Sequence, residues 1–155
     1  MASKYNSKKV EKDGHLFDSK IEARYFDQLK WLEANKQILF FRMQPRYLLQ
    51  EAFEKNGKKY RRIDYVADFE IHHIDGSIEV VDCKGFETTD FKIKKKLFEY
   101  KYPHKLSLVT YSQIDGGWME LEQLNKNRKL RKAVKESGSK SGNRRRQNSM
   151  ATGRG

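Results

Sequence analysis

A single cysteine in 155 residues, Cys83, rules out an intrachain disulfide and any cysteine-based zinc cluster. It sits in an apolar, strand-like run, which marks it as a small packed residue before a reactive thiol. The chain also lacks any apolar stretch of the roughly 18 to 20 residues that a membrane-spanning helix needs. Met1-Ala2-Ser3-Lys4-Tyr5-Asn6 has no apolar signal core. These absences predict a soluble, cytoplasmic protein with no membrane partner. Histidine is sparse: His15, His72, His73 and His104 show no metal-helix spacing, and strand neighbours such as His72 and His73 point to opposite faces. The length fits one domain.

Negative charge is scarce at one end. From Arg128 to Gly155 there are ten Lys or Arg against the single acid Glu136, so this segment holds +9 of the formal net charge of +12. Residues 137–155 also lack an apolar pattern for burial, which predicts a folded domain over 1–136 followed by a disordered basic tail. Such a tail is either simply solvated or a tether for the DNA backbone, with Arg144, Arg145 and Arg146 as its densest cluster.

The most informative residues are Tyr65-Val66-Ala67-Asp68-Phe69 and Glu79-Val80-Val81-Asp82-Cys83-Lys84-Gly85. Both are rich in strand formers, and the Asp75-Gly76 turn signal lies between them, which predicts a hairpin. Asp82 and Lys84 share a face with Ile78 and Val80, a charged tip after an apolar run. A three-residue loop Ile74-Asp75-Gly76, with Gly76 at positive φ, places Asp68 opposite Asp82; a two-residue loop turns the two carboxylates to opposite faces. The three-residue loop is the expected one. An Asp and a Lys two apart are often an ordinary surface ion pair. Val80-Val81 before them argues instead for an interior strand, where unpaired charge is costly.

An Asp on one strand followed by Asp-x-Lys on the next resembles the core of the PD-(D/E)xK nucleases, the restriction-endonuclease-like superfamily. The resemblance extends to Ser19-Lys20-Ile21-Glu22-Ala23, Gln44-Pro45, Ala67-Asp68-Phe69, Asp82-Cys83-Lys84-Gly85 and Phe91-Lys92. Those segments are similar to a group of small phage proteins catalogued as a domain of unknown function, over roughly residues 4 to 111. Ala67 stands where the superfamily name has Pro, a departure that removes no ligand.

The resemblance implies metal-dependent phosphodiester hydrolysis, and the residue types suit it. Hard divalent ions held by carboxylates activate water and stabilise charge on phosphate oxygens. Mg²⁺ usually takes one or two protein carboxylates and keeps several waters, so Asp68, Asp82 and the Cys83 carbonyl form the expected ligand set, with Mn²⁺ able to substitute. Lys84 then orients or deprotonates the attacking water, or stabilises developing charge as a cation. The resemblance also implies a helix Glu at the metals and a strand Gln near water or phosphate, which here are Glu22 and Gln44.

Glu22 has two readings. In a helix over 19–35 with the apolar stripe Ile21, Tyr25, Phe26, Leu29 and Leu32, Glu22 lies within the inward stripe. Ser19 and Glu22 also have capping-box spacing, in which the Glu reaches back to the Ser19 amide.

The remaining elements follow. A strand near Ile38–Gln50 contains Gln44-Pro45, and the proline suggests an edge or bulge. Strands over 60–72 and 77–84 continue an antiparallel meander, and Thr89 or Asp90 caps a helix that ends before Pro103. A right-handed crossover then sets Lys105–Tyr111 parallel to 77–84, and a final helix covers Met119–Val134. The expected fold is α/β: a restriction-endonuclease-like αβββαβ core, a mixed sheet flanked by helices, a C-terminal helix and the basic tail. On the helix over 90–101, Lys92, Lys95 and Lys96 cluster on one side, either as phosphate contacts or as a solvated polar face. Together these features predict a Mg²⁺-dependent phage DNA endonuclease acting on branched DNA such as Holliday junctions, in recombination, replication or packaging, as a homodimer. A non-catalytic DNA-binding protein on the same scaffold and a packaging accessory are the other readings.

Overall fold

The structure is a computed structural model; it describes residues 8–149, with side chains described through residue 138. Two short strands, β1 (Val10–Lys12) and β2 (His15–Phe17), form a hairpin ahead of helix α1 (Lys20–Ala34). Strands β3 (Phe40–Met43), β4 (Arg46–Gln50), β5 (Phe53–Lys55), β6 (Lys58–Tyr60), β7 (Ile63–Val66), β8 (Phe69–His72) and β9 (Ile78–Cys83) follow. Helix α2 (Thr89–Lys101), strands β10 (Lys105–Ser112) and β11 (Gly117–Glu120), and helix α3 (Leu121–Ser149) complete the chain. The central sheet has five strands in the order β11-β10-β9-β8-β3, with β9 and β10 parallel and the other pairs antiparallel. The core order α1, β3, β8, β9, α2, β10 is the expected αβββαβ arrangement in a mixed sheet.

Alternation along β9 divides the core in two. Val81 and Cys83 face α1, where Ala23, Tyr25, Phe26 and Leu29 pack with Phe69 and Ile71. Val80 faces α2, where Phe91 and Phe98 pack with Tyr47, Tyr65, Leu106 and Leu108. Val80 and Val81 are both fully buried, as an interior strand covered on both faces requires. The helix stripe read from the sequence holds: Tyr25, Phe26 and Leu29 are buried, with Ile21 and Leu32 half-buried at its margins.

Several boundaries differ from the sequence expectation. The single strand over Ile38–Gln50 is broken at Gln44-Pro45, where Gln44 takes a left-handed φ of 50°. The strand over 60–72 is likewise three strands. The breaks at Gln44-Pro45 and at Ala67-Asp68 occur at one level, because there the chain changes partners. Below it β3 pairs with β8 in the central sheet; above it β4 pairs with β7 in a separate ribbon. The Ala67 amide donates to the Pro45 carbonyl (3.1 Å) and the Gln44 amide to the Asp68 carbonyl (2.9 Å), bridging the two breaks. A proline at position 67 would have no N–H for the first of these bonds.

Thr88, rather than Thr89 or Asp90, caps α2: its hydroxyl accepts from the Phe91 amide. Met119 lies in β11, so the last helix begins at Leu121. Its backbone continues through Ser149, beyond the point near 136 where the folded part was expected to end, and residues 150–155 lie outside the described residues. Leu121 and Leu124 are buried, whereas residues 128–138 are all exposed, so no packing anchors that part. The polar turn expected near Asn56-Gly57-Lys58 is the tip of the β5–β6 hairpin, whereas the β1–β2 hairpin and β11, with strands of only three or four residues, were not anticipated.

Candidate functional site

The β8–β9 turn sets the site. Its loop is Ile74-Asp75-Gly76: the His73 amide donates to the Ser77 carbonyl (2.9 Å), and Gly76 has a φ of 86°. The Asp75 carboxylate accepts from the Ser77 amide (2.9 Å) and hydroxyl (2.6 Å), locking the turn. Register then runs His72 to Ile78, Ile71 to Glu79, Glu70 to Val80 and Phe69 to Val81. One further step sets Asp68 opposite Asp82, as the three-residue loop predicts. The two carboxylates meet at the carboxyl ends of the parallel strands, where ligand sites of open α/β sheets form.

The Asp82 side chain is held on several sides although the residue is only 2% exposed. Its Oδ2 accepts from the Tyr65 hydroxyl (2.6 Å) and lies 3.4 Å from the Lys84 Nζ. Its Oδ1 accepts from the Asp68 amide (3.0 Å). In return, the Cys83 amide donates to Asp68 Oδ2 (2.7 Å), so each acid is oriented by the strand carrying the other. The Lys84 ammonium also lies over the Phe91 ring, 4.9 Å from its centre.

These charges perturb one another. Burial, then the neighbouring charges of Asp82 and Glu22, pushes the Asp68 carboxyl up to about 8 against the opposing pull of the Cys83 amide and Lys84. Burial and the Asp82 carboxylate push the Tyr65 phenol upward, so it remains a proton donor. The Cys83 thiol is pushed up by burial and then by the Asp68 charge, which keeps it protonated and fits the packed-residue reading.

The structure shows the capping role foreseen for Glu22, in altered form. Ser19 caps α1 by accepting from the Glu22 amide (3.3 Å), and the Ser19 hydroxyl donates to the Glu22 carboxylate (2.9 Å). The carboxylate therefore holds the cap residue's hydroxyl, where a capping box would use its amide. Burial raises the Glu22 pKa, and Asp82 contributes to the same shift.

The other predicted contacts divide. Gln44 is exposed and reaches the site through its backbone bond to Asp68. Lys92 and Lys96 are exposed on α2. Lys95 lines a cavity with Glu87, Glu120 and Glu122, which sets acidic side chains beside it. Lys94, not singled out from the sequence, lines a groove of about 320 Å³ with Asp82, Lys84, Arg46, Tyr65 and Asp90. One helical step separates Lys94 from Lys95, about 100° of rotation, and only tertiary packing shows which of them meets the site. A buried tyrosine needing a hydroxyl partner was the available signal for Tyr65. The side chains of Arg144, Arg145 and Arg146 lie outside the described residues.

Among the described residues no group of three or more His, Cys, Asp or Glu is arranged to hold a metal ion. The donors that fit one are Asp68, Asp82 and the Cys83 carbonyl, a hard oxygen set of the size Mg²⁺ takes when it keeps several waters. Among the described residues no helix is long and apolar enough to cross a membrane. Residues 2–117 match the family described as "Protein of unknown function (DUF1064)", and the chain belongs to that family. No curated protein and no solved structure gives a significant match.

Proposed function

For this member of DUF1064 we propose a divalent-metal-dependent DNA endonuclease of the PD-(D/E)xK type, with branched DNA as substrate. The observation that carries the reading is the pairing of Asp68 with Asp82 across β8 and β9, with the Lys84 ammonium 3.4 Å from Asp82. Two acids facing each other in a buried setting repel, and a cation relieves that repulsion. Asp68, Asp82 and the Cys83 carbonyl would hold Mg²⁺ or Mn²⁺. When bound, the ion would supply Lewis-acid stabilisation of phosphate charge and a more acidic water.

The chain's own groups do the rest. The Tyr65 hydroxyl and the Asp68 amide fix the plane of the Asp82 carboxylate, and the Cys83 amide fixes that of Asp68. Lys84 presents a cation at the same place, where it orients water or stabilises charge developing on the phosphate. Lys94 and Arg46 line the adjoining groove and suit phosphate oxygens. Glu22, in the first turn of α1, would be a third carboxylate toward the ion. The choice of branched DNA rests on the resemblance to phage nucleases, and a dimer would supply one site per strand.

The test is incubation of purified protein with linear duplex, single-stranded and four-way-junction DNA, in Mg²⁺ or EDTA. Cleavage in Mg²⁺ alone, fastest on the junction and absent from Asp82→Asn, is the expected result. Metal-independent cleavage, or equal cleavage by the Asp82→Asn protein, overturns the reading. Equal rates on linear duplex and junction overturn the branched-DNA preference only.

A further inference from the structure

The β4–β7 ribbon that carries Tyr65 to Asp82 continues outward into the β5–β6 hairpin. Every residue of β5 and β6 is exposed. Asn56 and Gly57 form the tip with φ of 52° and 74°, the values of a tight hairpin turn of fixed twist. Pairing of Phe53 with Tyr60 and Lys55 with Lys58 puts all four side chains on one face, and Glu54 and Lys59 on the other. The Phe53 and Tyr60 rings stack flat, 4.6 Å apart and 6° from parallel, with no part in either core.

Within the hairpin only Lys59 faces an acid, Glu54 directly across the strand pair, at more than salt-bridge distance. Arg46 and Arg62 both pair with Asp64. Lys55, Lys58, Lys59 and Arg61 have no acidic partner among the described residues. Lys58 lies instead over the Tyr60 ring, 5.3 Å from its centre. Like charges directly across a strand pair, as at Lys55 and Lys58, weaken a hairpin. An anion brought by a partner would offset that repulsion.

We propose that the β5–β6 hairpin is a DNA-holding arm, whose Lys55, Lys58, Lys59 and Arg61 grip the phosphates of the duplex beside the bond being cut. This rests on the DNA-nuclease reading of the Asp68–Asp82 site. From Lys58 to Tyr65 the extended chain reaches at most about 23 Å at 3.3 Å per residue. That is less than one duplex turn of about 34 Å, so arm and site meet the same turn. A two-stranded ribbon is also an element that the roughly 12 Å major groove admits. Contacts to phosphates carry no sequence information, so the arm strengthens and orients binding without reading bases.

The test removes the four charges together, Lys55→Ala, Lys58→Ala, Lys59→Ala and Arg61→Ala, and follows binding of a labelled linear duplex in EDTA by fluorescence anisotropy across a salt series. Each phosphate contact contributes roughly 0.9 to the logarithmic salt slope, so the slope should become shallower by about two to three and a half units. Affinity near 0.1 M salt should fall at least about tenfold. A second protein lacking the charges of Lys8, Lys9, Lys36 and Lys101 should keep most of the slope. The milder pair Lys55→Gln and Lys58→Gln, which preserves side-chain length, should give about half the effect. Unchanged slope and affinity in the quadruple variant, beside a wild type that binds and cuts, overturn the arm alone. Equal loss in the charge control overturns it too. A wild type that fails to bind duplex DNA overturns both the arm and the nuclease reading. Binding without cleavage, with the slope lost in the quadruple variant, leaves the arm standing and removes the nuclease.

Discussion

Asp68 is the residue at which the site's electrostatics become measurable. Its carboxyl, ordinarily near 3.8, is pushed up to about 8 first by burial and then by Asp82 and Glu22. Between those values the folded chain keeps a proton that the unfolded chain releases, so the stability of the metal-free protein falls as pH rises through that window. Thermal melts in EDTA should show a lower melting temperature at pH 8 than at pH 5, and Asp68→Asn should flatten the difference. An unchanged slope in that variant places the titration elsewhere. Tyr65→Phe removes the hydroxyl that orients Asp82 while leaving both aromatic packing and the acid pair. Loss of an orienting group behind a ligand typically costs about 10- to 100-fold in metal affinity or activity. Mg²⁺ titrations of cleavage should show this loss with the melting temperature little altered. Glu22→Gln asks a related question, because the amide can still accept from Ser19 but carries no charge. A large loss of turnover at nearly constant stability assigns Glu22 to the metals, and unchanged turnover leaves it as part of the cap.

Among the elements, the β8–β9 hairpin decides whether the two acids meet. Gly76 adopts a φ of 86° with nothing crowding its α-carbon. Gly76→Ala therefore tests conformation rather than space, and should cost about 1 to 2 kcal/mol, the penalty for an L-residue in the left-handed region. A shift in urea midpoint at constant slope would show this. Helix α2 is tied to the sheet mainly by Phe91 and Phe98, the second of which is fully buried against Tyr47, Tyr65 and Tyr102. Phe98→Ala should destabilise by about 3 to 5 kcal/mol. It should also weaken cleavage, because Tyr65 loses a wall and Lys94 its fixed position.

At the scale of the whole molecule, charge is divided between the compact part and the end of α3. Deletion of residues 137–155 removes Lys140, Arg144, Arg145, Arg146 and Arg154 and no acid. Among the residues of α3 with described side chains Leu124 is the last buried one, and residues 128–138 are all exposed, so the deletion should leave the melting temperature unchanged. The salt slope of duplex binding should become shallower by about two to four units, with equal weakening on linear and branched DNA. If neither slope nor affinity moves, the tail is no DNA tether. The arm and the tail lie on different elements, so their effects on binding should add.

The sequence alone was enough for the features that depend on short-range chemistry. Alternation and the Val80-Val81 run marked β9 as interior, and the Asp75-Gly76 signal marked a turn between the two acids, whose length the local sequence left at two or three residues and the register settled at three. The apolar stripe of α1 and its Ser19 cap were legible for the same reason: period and capping act over three or four residues. Only tertiary structure decided the rest. Strands over 38–50 and 60–72 look continuous because each has uniform strand propensity, yet both break where the pairing partner changes, which no local pattern records. Tyr65 joined the site through a hydroxyl bond spanning 17 residues. Lys94 displaced Lys95 because the rotation of α2 against the sheet is set by how Phe91 and Phe98 pack, and the sequence names those residues without stating their neighbours.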